Sequence, residues 1–211
     1  MTQLFKETKM GPKALLRKDK RFRLSGHLRD PATTVSIVGW VPQATPEVTQ
    51  RYKSALSRVQ HITDVKRGRA ACEKLSAASV LALDCEGVSL GSASGKLTLV
   101  QLFDGRVPYL FDIKKCPALL DHGLRDLLQS KEILKVIHAI QADGDALRSH
   151  GVSLGPVFDT QCAFFALNGY RKNFQVGLSS FLECFSLYHP EKANSPHKGN
   201  WTSGIRRSPR I

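Results

Sequence analysis

Between Ser79 and Ile113 the chain runs in short apolar segments separated by turn-forming residues, and after that the apolar spacing lengthens toward that of a helix. Val80–Asp84 is an apolar run of strand length, and Ser89 to Gly95 is a turn-forming stretch. Leu97–Phe103 is rich in β-formers with partial alternation, Asp104-Gly105 is a hairpin signal, and Val107–Ile113 is a third strand. Three strands joined by short turns predict an antiparallel meander. The period then changes, with apolar residues at 119, 120, 124, 127 and 128 forming one face of a helix. Ile133–Ile137 reads as a strand, Ile140–His150 as a helix, and Val157–Asp159 as a short strand. Thr160–Leu167 reads as a helix with Asp159 as its N-cap, and Val176–Phe185 as a last amphipathic helix. The order βββαβαβα predicts an α/β fold with a mixed sheet flanked by helices. Ligands are expected beyond the carboxyl ends of its parallel strands. Upstream, Pro46–Val59 and Val65–Leu75 fit helices, and Val35–Val41 suits a strand with Trp40 available to dock.

Composition adds boundaries. Hydrophobic residues make up 42% of 211, enough for one domain with a sizeable core. Residues 1–46 read as a basic, largely flexible arm, 47–188 as the folded domain, and 189–211 as a basic flexible tail. No apolar run approaches the roughly 20 residues of a membrane span, and the basic N-terminal thirty residues lack the apolar core of a signal peptide. Five cysteines, an odd number with no C-x-x-C pair, fit reduced thiols in an intracellular protein, cytoplasmic or nuclear before mitochondrial. Net charge is +13, of which residues 1–30 carry +6 and 191–211 carry +4. Basic extensions on a nearly balanced core favour a polyanionic partner, with nucleic acid the commonest.

The candidate chemistry begins where the first strand ends. In Asp84-Cys85-Glu86 the two carboxylates are two residues apart, so in a strand they share a face. Like charges held together are unfavourable unless a cation lies between them, and a divalent metal is the usual answer. An isolated D-x-E is more often a solvated acidic turn, and only residues further along the chain can shift that balance. His138 ends the next strand, and Asp143 falls in the first turns of the next helix, four residues before Leu147 and on the same face. Asp145 points elsewhere and suits a solvated helix position. His138 suits a satisfied strand-end imidazole.

Leu81-Ala82-Leu83-Asp84-Cys85-Glu86 followed by a meander resembles the first exonuclease motif of the DEDD superfamily of 3′–5′ exonucleases. Lys135-Val136-Ile137-His138 with Asp143 and Leu147 resembles the second. Phe158-Asp159-Thr160-Gln161 and Val176-Gly177-Leu178-Ser179-Ser180-Phe181-Leu182 look like the segments that come next in that family. The chain is most similar to the branch of 3′–5′ exonuclease domain-containing proteins that includes Egalitarian-like RNA-binding members. The resemblance implies a ribonuclease H-like fold and hydrolysis of phosphodiesters from the 3′ end of single-stranded nucleic acid, RNA before DNA. It implies two Mg²⁺ or Mn²⁺ ions, with Asp84 bridging both, Glu86 on one and Asp143 on the second. The family's fourth carboxylate lies in a Tyr-x-x-x-Asp or His-x-x-x-x-Asp motif, and no such motif is found, because after Asp159 the only acids are Glu183 and Glu191. Asp159 is the obvious stand-in. The metal site is therefore expected to be incomplete and the chain nearly inactive, as a truncated or spliced product. The alternative is a non-catalytic RNA-binding or scaffold protein on the same fold. No membrane partner is expected.

The basic arm should contribute salt-sensitive phosphate contacts. Deleting residues 1–30 should flatten the dependence of single-stranded oligonucleotide affinity on salt in a filter-binding titration. An unchanged slope would remove the arm from the interface.

Overall fold

The structure is a computed structural model of the 211-residue chain, and it describes residues 22–25, 34–37, 46–168, 176–178 and 181–182. The described residues fall into two compact units: one runs from Thr49 to Thr160, and the other comprises those before Thr49 and after Thr160. Trp40 and the tail from His189 lie outside the described residues.

In the second unit, β1 (Phe22–Ser25) and β2 (Thr34–Ile37) pair antiparallel. The N-terminal arm thus contains a two-stranded ribbon, of which only the second strand was legible, and residues 38–41 of that expected strand lie outside the described residues. Of the expected last helix, one turn is described, in which the Phe181 N–H donates to the Gly177 carbonyl at 2.9 Å. There Phe164 meets the Phe181 ring edge-on at 6.1 Å.

Helix α1 (Pro46–Leu56) opens with proline at its start and Glu47 in its first turn, and carries Lys53 in its last, each placed to suit the helix dipole. The Thr49–Thr160 unit is built on a six-stranded sheet. It contains β3 (Gln60–Ile62), β4 (Val80–Val88), β5 (Lys96–Phe103), β6 (Pro108–Asp112), β7 (Leu134–Ile137) and β8 (Val157–Asp159), ordered β3-β6-β5-β4-β7-β8. The meander β4-β5-β6 is antiparallel, and β7 and β8 follow parallel to β4. This is the expected α/β mixed sheet, with one addition. The three-residue β3 pairs parallel with the edge strand β6 and is too short to show an apolar period.

Helix α2 (Val65–Leu75) has the bounds its pattern predicts, because Asp64 caps it by accepting the Arg67 N–H at 2.9 Å. The helix expected from Leu119 to Leu128 is instead broken. A 3₁₀ turn (Pro117–Leu119) leads into a kink where Gly123 takes φ +107°, and only α3 (Arg125–Gln129) is regular. The apolar face survives the kink, since Leu119, Leu120, Leu124, Leu127 and Leu128 are all buried. Helices α4 (Gln141–Ser149) and α5 (Thr160–Asn168) follow among the described residues.

Strand β4 is longer than its apolar run, because Asp84–Val88 continue the antiparallel pairing with β5 through a bulge between Glu86 and Gly87. Leu81, Leu83 and Cys85 are buried and alternate with exposed Val80, Ala82 and Asp84. Lys135 is fully buried on β7, where its ammonium donates to the Ser130 and Ile133 carbonyls, both at 2.7 Å. Burial lowers its pKa.

A β-carbon at Gly87 would lie 2.1 Å from the Lys96 carbonyl oxygen, against backbone that cannot yield without opening the ladder. Gly87→Ala should therefore destabilise the fold by about 2–3 kcal/mol in chemical denaturation. Gly105→Ala, at φ +86° but with open space around it, should cost only about 1 kcal/mol. Equal costs would contradict the packing account of the bulge.

Candidate metal centre

The sheet leaves a gap beside β4, and α4 fills it. β7 pairs with β4 only from Val80 to Ala82, whereas β4 runs on to Val88. Beyond Ala82 the β7-side edge of β4 has no strand partner among the described residues. There the chain leaves β7, turns through His138–Ile140 and enters α4. Asp143, in its first turn, is buried within electrostatic reach of Asp84 and Glu86 and near the Cys85 backbone N–H, which favours its charged form. Gly91 (φ +78°), in the loop after β4, comes so close to α4 that a β-carbon would lie 3.0 Å from the Ala142 α-carbon.

The turn into α4 is strained and braced. Ala139 sits in the left-handed region at φ +59°, which costs an L-residue about 1–2 kcal/mol. Asp159, at the end of β8, accepts the Ala139 N–H at 3.1 Å on one carboxylate oxygen and the Ile140 N–H at 2.9 Å on the other. Both oxygens thus accept donors at the start of α4. The Thr160 hydroxyl donates to the Ile137 carbonyl at 3.2 Å and lies 2.8 Å from His138 Nδ1. That pattern assigns the imidazole proton to Nδ1, and His138 is a satisfied strand-end imidazole, as expected.

Asp84 is exposed, and its Oδ2 accepts the side-chain amide of Gln101, its cross-strand partner, at 2.8 Å. Glu86 is half-buried and Asp143 buried. Burial, reinforced by the charge of Asp84, pushes the Glu86 carboxyl up to about 7. Burial, then Asp84 and Glu86, push Asp143 up to about 7, while the Cys85 N–H opposes the rise and Asp159 adds a smaller push. The buried Cys85 thiol is raised by desolvation and by the same three carboxylates, Asp143 foremost. Asp145 lies apart, ion-paired with Arg148 at 2.6 Å on the solvent side.

Among the described residues, no three His, Cys, Asp or Glu side chains close into a group with metal-holding geometry. The donor set nevertheless fits a hard divalent cation. All three groups are carboxylates, and mutual repulsion helps to hold two of them near pH 7, which a cation would relieve. Gln101 and Ala139 are the site's neighbours that pattern reading missed, and Asp159, weighed there as a stand-in ligand and as a helix cap, meets the turn before α4. The parallel register pairs Asp159 with Ile137, one residue before the turn, and that placement was the available signal.

A sequence profile described as 3′–5′ exonuclease matches residues 59–209. The chain belongs to the 3′–5′ exonuclease family. It is 37% identical over 124 residues to ribonuclease D of Zymomonas mobilis, covering 58% of this chain and 31% of that protein. It is 39% identical over 87 residues to the mouse piRNA biogenesis protein EXD1, covering 40% of this chain and 15% of that protein. The chain thus spans less than a third of these relatives' length. Trypanosoma brucei RNase D in its GMP complex superposes with a TM-score of 0.54 at 24% identity, covering 62% of this chain and 42% of that one. The Aedes aegypti Nibbler exonuclease domain gives 0.50 at 17% identity, covering 61% and 68%. Those likenesses show the fold. The family is generally dependent on divalent metal ions. Among the described residues, no helix is long and apolar enough to cross a membrane.

Both raised carboxyls hold protons in the folded chain that the unfolded chain releases. Their stabilising contribution is full below their ordinary values of 3.8 and 4.5, and is lost as pH rises through about 7. Metal-free protein should therefore melt at lower temperature as pH rises across that window. Asp143→Asn should flatten the trend, and Mn²⁺ should restore stability at the alkaline end. A melting temperature that rises with pH through the window would contradict the coupling.

Proposed function

We propose that the chain binds the 3′ end of single-stranded nucleic acid, RNA before DNA, at a divalent-metal site held by Asp84, Glu86 and Asp143. The observation that carries this reading is the buried Asp143 carboxyl within electrostatic reach of Asp84 and Glu86, beside the stretch of β4 that runs on past its pairing with β7. Asp84 and Glu86 present their charge from one strand, and Asp143 supplies the third carboxylate from the helix. Asp84 is the exposed member and the one best placed to meet incoming substrate. Gln101 holds one of its oxygens and thereby orients the other. A bound Mg²⁺ or Mn²⁺ supplies Lewis acidity toward a phosphate and lowers the pKa of water, as two such ions do in phosphodiester hydrolysis. Without a cation the three carboxylates repel phosphate, and they lose that repulsion as they take one up.

A second reading, an RNA-binding protein that keeps the fold without the reaction, is favoured because among the described residues no three His, Cys, Asp or Glu side chains close into a metal-holding group. One assay separates the two. With a 3′-labelled RNA oligonucleotide, Mn²⁺ should strengthen binding to the wild-type chain, and Asp84→Ala should abolish that metal dependence. Mononucleotide release that depends on Asp84 would establish hydrolysis, and metal-dependent binding without release would establish the binding module. Binding that is equal with and without Mn²⁺ would overturn the shared site.

A further inference from the structure

We infer that Asp159 is the positioning residue of this centre and not its fourth ligand: it pins the strained turn at Ala139 and so sets where Asp143 stands. The inference rests on the metal-site reading of Asp84, Glu86 and Asp143.

Three observations converge on it. First, Asp159 reaches the site from a third element. It ends β8, beside Ile137 of β7 in parallel register, and its next neighbour Thr160 hydrogen-bonds back to the Ile137 carbonyl. Second, both of its carboxylate oxygens are engaged, one by the Ala139 N–H and one by the Ile140 N–H. A ligand to a cation must offer an oxygen to it, and these two oxygens face backbone donors at the start of α4. Third, the residue they brace is one that resists its conformation. Ala139 has a β-carbon and φ +59°, a combination that persists only where the surroundings enforce it.

The consequence for the site is geometric. Asp143 lies four residues beyond Ala139, about one turn into α4, so a change in the turn rotates the first turn of the helix. That first turn carries the buried Asp143 carboxyl, so its rotation sets where Asp143 stands relative to Asp84 and Glu86. Asp159 therefore acts on Asp143 through the backbone of Ala139 and Ile140.

The two roles predict different behaviour when Ala139 becomes glycine, which adopts a left-handed conformation freely. If Asp159 braces a strained turn, glycine removes most of the need for the brace. If Asp159 is a ligand, glycine at 139 does nothing for it. The test uses the full chain and Mn²⁺ affinity read from the loss of the free-ion electron paramagnetic resonance signal, together with thermal melts. Asp159→Ala should weaken Mn²⁺ binding about tenfold, the usual effect of losing a residue that orients a metal ligand. Ala139→Gly in the same chain should restore most of that loss, and the melting effects of the two substitutions should be non-additive. Should Asp159→Ala fail to fold, Asp159→Asn, which keeps one acceptor, takes its place in the cycle.

Unchanged Mn²⁺ affinity in the Asp159 variant would overturn the inference. So would a loss as deep as that of Asp143→Ala with no recovery on Ala139→Gly, or additive melting effects. If Asp84→Ala and Asp143→Ala leave Mn²⁺ binding intact, the metal-site reading itself fails, and the melting cycle still decides whether Asp159 braces the turn.

Discussion

The candidate centre depends on the unequal lengths of two neighbouring strands, beside which Asp143 is buried close to Cys85. β7 stops pairing with β4 at Ala82, and β4 goes on for six more residues with β5 on its far side. An unpaired strand edge at the interior of a sheet carries N–H groups that need acceptors. The helix that follows β7 packs beside that edge and buries Asp143 within electrostatic reach of Asp84 and Glu86. The high pKa values of Glu86 and Asp143 record the cost, burial first and the neighbouring charges second.

Much of this was legible in the residue pattern. The Asp104-Gly105 turn fixed the meander, and the structure shows why: the Asp104 carboxylate accepts the Arg106 and Val107 N–H groups while Gly105 takes a positive φ. Leu147 marked the buried face of α4, and its fourfold spacing placed Asp143 on the same side. The two-residue spacing of Asp84 and Glu86 put them on one face of β4, since the bulge falls only after Glu86.

The features that escaped the pattern have a common cause, because they are set by contacts between segments distant in sequence. β1 and β3 are too short for a period, and β3 exists because β6 offers it an edge. The apolar spacing from Leu119 to Leu128 is helical in register, but Gly123 breaks the backbone beneath it without exposing a single one of those leucines. Asp159 precedes a helix and looks like its cap, yet a turn twenty residues earlier uses both its oxygens. The left-handed Ala139 has no signature at all in a residue type that prefers helix.

The central claim is that Asp84, Glu86 and Asp143 form one cation site beside the stretch of β4 that runs on past β7, and membership of the 3′–5′ exonuclease family gives that claim its chemical context. Anomalous scattering from crystals soaked in Mn²⁺ tests it most directly. The account predicts a manganese peak within coordination distance of carboxylate oxygens from all three residues, with Asp143 still beside Cys85. A manganese ion bound elsewhere, with Asp143 turned away from β4, would contradict it.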